Sequence, residues 1–224
     1  MCTVTFIPTT KGVVITSNRD EKVTREKATP PALYEVNGKQ ITFPKDQKAG
    51  GTWIAKTQEK VIVLLNGAQE KHKVKSLYRK SRGLIVLELA GAENTLVSWN
   101  EINLTEIEPF TIVLFENNSL FQLQWNEIEK KQEELAVSKN HIWSSSTLYS
   151  EENRAERAKW FDTFMKENNN PIESDILNFH QFTEKNNNDF GLQINRNNIL
   201  KTVSITQCVV SNCKIKMSYL DLTA

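Results

Sequence analysis

MCTVTFIPTTKGVVITSNRDE, residues 1–21, reads as two strands joined by a turn. Thr3 to Ile7 alternates polar and apolar side chains, as a strand buried on one face does. Pro8-Thr9-Thr10-Lys11-Gly12 is turn chemistry, and Val13-Val14-Ile15-Thr16 is rich in the β-branched residues that pack well on a pleated surface. If the turn centres near Thr10, the numbers of facing residues sum to about 20, as in a short hairpin loop. Ile7 then faces Val13 and Cys2 faces Asn18. Arg19 and Asp20 emerge beside the N-terminus.

That juxtaposition has a chemical reading. A small residue at position 2 permits removal of Met1, which leaves Cys2 with a free α-amino group. An α-amine titrates near pH 7.7–8.0 and a thiol near about 8.5, so one residue can hold both a nucleophile and its base. A guanidinium at Arg19 would favour the thiolate. A carboxylate at Asp20 could accept hydrogen bonds from the α-ammonium or fix Arg19 in place. The plainer reading is an incidental thiol at a frayed end and a charged strand terminus at Asn18-Arg19-Asp20-Glu21.

Outward from the hairpin, strands are expected at Lys39–Phe43, Thr52–Ala55 and Val61–Leu65. Ser81–Ala90 reads as a helix, and Thr95–Asn103 continues helical after a break at Gly91. Phe110–Glu116 and Leu120–Trp125 form a hairpin about Asn117-Asn118. Ser150 is an N-cap for a helix whose apolar stripe includes Trp160, Phe161, Phe164 and Met165. A shorter helix spans Asp175–Phe182. Val203–Val210 and Lys214–Leu220 close the chain as a hairpin through Ser211-Asn212. Strand-rich ends around grouped helices point to an α+β fold with antiparallel sheets rather than alternating βαβ units.

Composition narrows the function classes. The 224 residues can bury one substantial core, and no linker-like stretch divides them, so a single domain over 1–224 is expected. A net charge of +1 argues against a dedicated nucleic-acid or membrane-surface partner. Three cysteines, Cys2, Cys208 and Cys213, do not make a disulfide framework. No apolar run is long enough for a membrane span and no targeting segment is visible, so a cytoplasmic location is expected. His72, His141 and His180 lack paired ligand spacing, and the reading assigns no metal and no cofactor. The basic run from Lys71 to Arg82 reads as a solvated loop, or as a patch that attracts an anionic group.

The ordered combination of motifs resembles one family. The Met-Cys-Thr opening is followed by Ser17-Asn18-Arg19-Asp20-Glu21. Gly50-Gly51-Thr52-Trp53, then Leu64-Leu65-Asn66, then Ser81-Arg82-Gly83 come in the same order as in the Asn-Arg-Asp-Glu, or Transport and Golgi organisation 2, family. The opening is also similar to the penicillin V acylase and bile salt hydrolase group. The resemblance implies a four-layer αββα sandwich of two mainly antiparallel sheets, the N-terminal nucleophile hydrolase fold. It assigns Cys2 as nucleophile, Arg19 and Asp20 as substrate-side Arg and amine-binding Asp, and Asn66 as an oxyanion-hole donor. Asn18, Gly51, Trp53, Arg82 and Ser146 fall to substrate binding. Ser146 stands where family members often carry Asn, and Lys201 is the nearest counterpart of a second, C-terminal Arg in the acylase group.

Two functions compete. In the first, a cysteine amidohydrolase cleaves a small non-peptide linear amide. In the second, the same fold carries or chaperones an apolar ligand such as haem or an acyl lipid, a role the resemblance suggests through eukaryotic relatives. No spacing in the sequence supports haem ligation. Asn66-Gly67 also admits a plain reading as a hairpin turn, and Gly50-Gly51 as a tight turn that places Trp53 in the core.

Overall fold

The computed structural model describes residues 3–223. Cys2, the residue on which the chemical reading turns, lies outside the described residues. In chain order the elements are β1 (Thr3–Thr9), β2 (Gly12–Lys22), β3 (Thr29–Val36), β4 (Lys39–Lys45), β5 (Ile54–Lys56) and β6 (Lys60–Asn66). Helices α1 (Arg82–Gly91) and α2 (Thr95–Glu101) follow, then β7 (Phe110–Glu116), β8 (Ser119–Trp125), β9 (Lys130–Leu135) and β10 (His141–Ser144). The chain ends with α3 (Glu151–Glu167), α4 (Glu173–Phe182), β11 (Asn195–Arg196), β12 (Leu200–Ser211) and β13 (Lys214–Asp221). Every strand pairing is antiparallel, and the α+β class expected from the sequence is the one observed.

The chain forms two compact units. The first comprises residues 1–25 and 138–224, the second residues 26–137. In the first, the sheet order is β10-β1-β2-β12-β11, and β13 also pairs with β12. Ile7 and Val14 on this sheet pack with Phe161 of α3 and with Ile176 and Phe179 of α4. Phe161 shares its stripe with Trp160, Phe164 and Met165, the spacing that marked α3 in the sequence. Ser150 caps α3 by accepting a hydrogen bond from the Asn153 amide. The opposite face of β1, β2 and β12 carries Val4, Phe6, Ile15 and Cys208, all fully buried.

In the second unit, β3 to β9 form one seven-stranded sheet in sequence order. Ile85, Val86, Leu89 and Ala90 of α1 pack on Ile41, Phe43, Ile62 and Leu64. Each large side chain buried in this way contributes roughly 1.5–3 kcal/mol, enough to fix which face α1 presents to the sheet. Asn37-Gly38, Asn117-Asn118 and Asn212-Cys213 all have positive φ, between 48° and 74°, and close two-residue hairpin loops.

Three expectations are corrected. The first hairpin turns at Thr10-Lys11, so Ile7 faces Val14 rather than Val13, and Thr3, not Cys2, faces Asn18. The last hairpin turns at Asn212-Cys213, one residue later than expected. Asn66-Gly67 is not a hairpin turn: β6 pairs with β7, and the chain between them runs through α1 and α2. The charge of residues 69–75 is that of a loop, not of a returning strand.

Candidate functional site

Thr3, the first described residue of β1, lies between β2 and β10, and on both flanks the chain continues beyond its partner. β2 continues beyond Asn18, the partner of Thr3, through Arg19, Asp20 and Glu21, which pair with β12. On the other flank, Ser144 of β10 is the partner of Thr3, and the chain goes on to Ser145 and Ser146, both buried. The first unit therefore brings Asn18, Arg19, Asp20 and Ser146 around the start of β1. Lys201 joins them as the cross-strand neighbour of Glu21.

Strand alternation sends Arg19 and Asp20 to opposite faces. Arg19 is buried, and its guanidinium lies 3.5 Å from the Glu21 carboxylate, two residues along on the same face. Arg25 reaches the same Glu21 oxygen, also at 3.5 Å. The fourth residue of the motif thus anchors the second.

Asp20 is also buried, and two hydroxyls grip it. Tyr149 donates to Oδ2 at 2.5 Å and Thr202 donates to Oδ1 at 2.6 Å. A β-bulge makes the second contact possible. Ser204 pairs with Arg19 and Thr202 pairs with Asp20, leaving Val203 as the extra residue. Without it, Val203 would stand opposite Asp20 and the carboxylate would lose a donor. Tyr149 is itself gripped. The Arg157 guanidinium lies 3.5 Å from its ring centre and that of Arg196 lies 5.2 Å away.

Arg157 is wholly buried. It donates to Thr3 Oγ1 at 2.5 Å and Ser144 Oγ at 3.5 Å, and to the carbonyls of Phe190 and Gly191 at 2.9 and 2.5 Å. These acceptors are all neutral. One side chain of α3 therefore ties down the first described residue of β1, its partner on β10 and the loop before β11.

Asn18 is committed to the fold. Its amide nitrogen donates to the carbonyls of His180 and Leu192 at 3.1 and 2.7 Å, so its oxygen faces His180 Nδ1 at 2.6 Å. That oxygen only accepts, so Nδ1 carries the imidazole proton and Nε2 accepts from Thr5 Oγ1 at 2.8 Å. Full burial, and secondarily the Arg157 charge, lower the His180 pKa to about 3.

The remaining sequence candidates lie in the second unit. Gly51 packs against Gly83, and the Thr52 amide donates to the Gly83 carbonyl at 3.1 Å. Trp53 is buried, and its carbonyl accepts from the Leu64 amide at 2.8 Å. Asn66 ends β6 opposite Phe110. Arg82 donates to the Pro109 carbonyl at 3.0 Å and pairs with Glu108 at 2.9 Å. The same Pro109 carbonyl accepts from the Gly67 amide at 2.9 Å, so the Asn66-Gly67 and Ser81-Arg82-Gly83 motifs share an anchor. Among the described residues, no three His, Cys, Asp or Glu side chains are placed to hold a metal ion. No helix among them is long and apolar enough to cross a membrane.

The sequence matches the model of Transport and Golgi organisation 2 over residues 1–214. The chain belongs to the Transport and Golgi organisation 2 family. No curated protein matches it. Among solved structures it is similar to an Arg-to-Leu variant of conjugated bile acid hydrolase from Clostridium perfringens, with a TM-score of 0.55 and 9% identity. The similarity covers 99% of this chain and 93% of the hydrolase, and it shows that this Transport and Golgi organisation 2 chain has the N-terminal nucleophile hydrolase fold expected from its motifs. Anbu from Hyphomicrobium sp. strain MC1 matches over 98% of this chain and 88% of its own, but at a TM-score of 0.34 and 7% identity it adds no weight.

Sequence reasoning missed Tyr149, Arg157, His180 and Thr202. Arg157 did leave a signal. It lies four and seven residues before Phe161 and Phe164, so it is a charge on an apolar helical stripe. Tyr149 and Thr202 left none, because their contacts with Asp20 span 129 and 182 residues.

Proposed function

We propose that this protein is an N-terminal cysteine hydrolase that cleaves the carbon–nitrogen bond of a small linear amide. The observation that carries the proposal is the placement of Asp20. Its buried carboxylate is gripped by two hydroxyls, two residues beyond Asn18 on the same face of β2, and Asn18 is the partner of Thr3, the residue that follows Cys2. A carboxylate fixed beside the start of a chain is a partner for an α-ammonium group.

After removal of Met1, the free α-amine takes the Cys2 thiol proton and the thiolate attacks the amide carbonyl carbon. The carbonyl π electrons move to oxygen. When the tetrahedral intermediate collapses, the C–N bond breaks and the leaving nitrogen takes the proton from the α-ammonium. Water then attacks the thioester, gives its proton to the amine, and releases the acid and the regenerated thiol. Asp20 holds the ammonium while it carries the proton. Arg19, anchored by Glu21, supplies positive charge on the other face of β2. The oxyanion role of Asn66 and the substrate-side roles of Gly51, Trp53, Arg82 and Ser146 enter on the resemblance alone. Asn18 enters as a positioning residue, since its amide is committed to α4 and the Leu192 carbonyl.

One observation favours the carrier reading. A cavity of about 460 Å³ lies at the turn end of the first hairpin, lined by Val14, Pro171, Ile172, Leu177 and Val209 among others. An apolar ligand there would sit away from the start of β1. Turnover of a panel of small linear amides decides between the readings. Hydrolysis that disappears in Cys2→Ala supports the hydrolase. No turnover, together with haem or acyl-lipid binding unchanged in Cys2→Ala, supports the carrier.

A further inference from the structure

We infer that Tyr149 and Arg157 are positioning residues for the N-terminal amine, acting through Asp20 and Thr3. This rests on the amine-holding role of Asp20 in the proposed reaction.

A carboxylate helps an ammonium only if it stays where the ammonium is, and an aspartate side chain has two rotatable bonds with which to leave. Asp20 is denied that freedom from both sides. Thr202 fixes Oδ1 from the neighbouring strand, and Tyr149 fixes Oδ2 at 2.5 Å. The Tyr149 hydroxyl can do this only because its ring cannot turn away. The guanidinium of Arg157 covers the ring, with that of Arg196 a second cation near it. Arg157 in turn is fixed by four neutral acceptors, and one of them is the Thr3 hydroxyl. The same cation therefore holds the residue that follows Cys2 and, through a phenol, the carboxylate offered to the Cys2 amine. Distance errors that would arise independently at β1 and at β2 are tied to one rigid side chain.

Among the described residues, the helix-covered face here carries Asp20 and Lys22 of β2, Arg157 of α3 and Arg196 of β11, with His180 of α4 held neutral by burial. Arg19 and Glu21 are on the other face and face each other. In the proposed reaction the α-amine is paired with the Asp20 carboxylate, whose position Tyr149 sets. A merely packed Tyr149 would affect stability. A positioning Tyr149 affects the amine titration, and only while Asp20 is a carboxylate.

The test uses the full chain in a Cys2→Ala background, so that no thiol competes, with Met1 removal verified by mass. The pH dependence of α-amine labelling by phenyl isothiocyanate gives the amine midpoint. Asp20→Asn should lower that midpoint by about one pH unit, as loss of an adjacent opposite charge does. Tyr149→Phe keeps the ring against the Arg157 guanidinium and should lower it by a part of that amount. Arg157→Lys, which keeps the charge but not the fork, should do the same. In the Asp20→Asn background, Tyr149→Phe should have no further effect. If Asp20→Asn moves nothing, Asp20 does not hold the amine, and that part of the proposed reaction falls together with this inference. If Asp20→Asn moves the midpoint while Tyr149→Phe does not, or moves it equally in both backgrounds, the inference alone is overturned.

Discussion

Gly51 and Gly83 meet backbone to backbone. A methyl group on Gly51 would stand 2.4 Å from the Gly83 carbonyl carbon, and one on Gly83 would stand 2.8 Å from the Thr52 carbonyl oxygen. The Gly-Gly-Thr-Trp and Ser-Arg-Gly motifs are therefore two sides of one contact, which docks the start of α1 on the chain entering β5. Gly51→Ala should destabilise the protein by about 1–3 kcal/mol, as overpacking does. Urea denaturation checks this. Gly50→Ala should cost less, about 1 kcal/mol, because that site has open space and only its φ of +70° is unfavourable.

Intact-mass analysis of the native sequence should show Met1 absent. Cys2 should then react with iodoacetamide at neutral pH faster than Cys208, which is buried, and Cys213, which is exposed. Arg19→Met should move that reactivity toward higher pH, because a cation that favours thiolate is lost. Peptide-level mass spectrometry across a pH series reads all three thiols at once. A retained Met1 would rule out the terminal-amine mechanism.

Thr202→Val keeps the shape of β12 but takes one donor from Asp20 and one acceptor from the Ile194 amide, 2.9 Å away. Leaving these groups buried and unpaired should cost about 1–3 kcal/mol. Val203→Ala, at the bulge itself, leaves both hydrogen bonds in place and should be milder. The difference between the two midpoints in urea isolates the hydroxyl.

Stability should fall on acidification with a contribution from His180. Its folded pKa of about 3 lies below the ordinary 6.5. Between those values the unfolded chain binds a proton that the folded one does not, so stability rises with pH through this window and is lost as pH falls through it. The slope for one proton is about 1.4 kcal/mol per pH unit. His180→Gln should be less stable at neutral pH yet show a shallower loss between pH 6.5 and 3, since carboxylate contributions are common to both proteins. Denaturant midpoints across that range measure the difference.

Much of the fold was legible because local chemistry decided it. The first hairpin, the Asn117-Asn118 turn, the Ser150 cap and the apolar stripe of α3 all follow from neighbouring residues. β9 was missed because Lys-Lys-Gln-Glu-Glu-Leu shows no apolar alternation, and it is an edge strand that neither needs nor has a buried face. β3 was hidden by Pro30 and Pro31, although Asn37-Gly38 announces its hairpin with β4. The register of β1 against β2 slipped by one because Thr9 and Gly12 pair, leaving only two residues in the loop. At the candidate site, the sequence offered the motif on β2 but not what holds it. The partners of Asn18 and Asp20 come from residues more than 120 positions away, and no local pattern encodes such contacts.

The bulge at Val203 divides β12 into two phases. From Ser204 onward, even-numbered residues share the face of Arg19, whereas Thr202 shares the face of Asp20. Any transplant of this sheet into a designed scaffold must carry the inserted residue with it. A copy laid out as one regularly alternating strand would keep every amino acid and still exchange inside for outside from residue 203 back to residue 200.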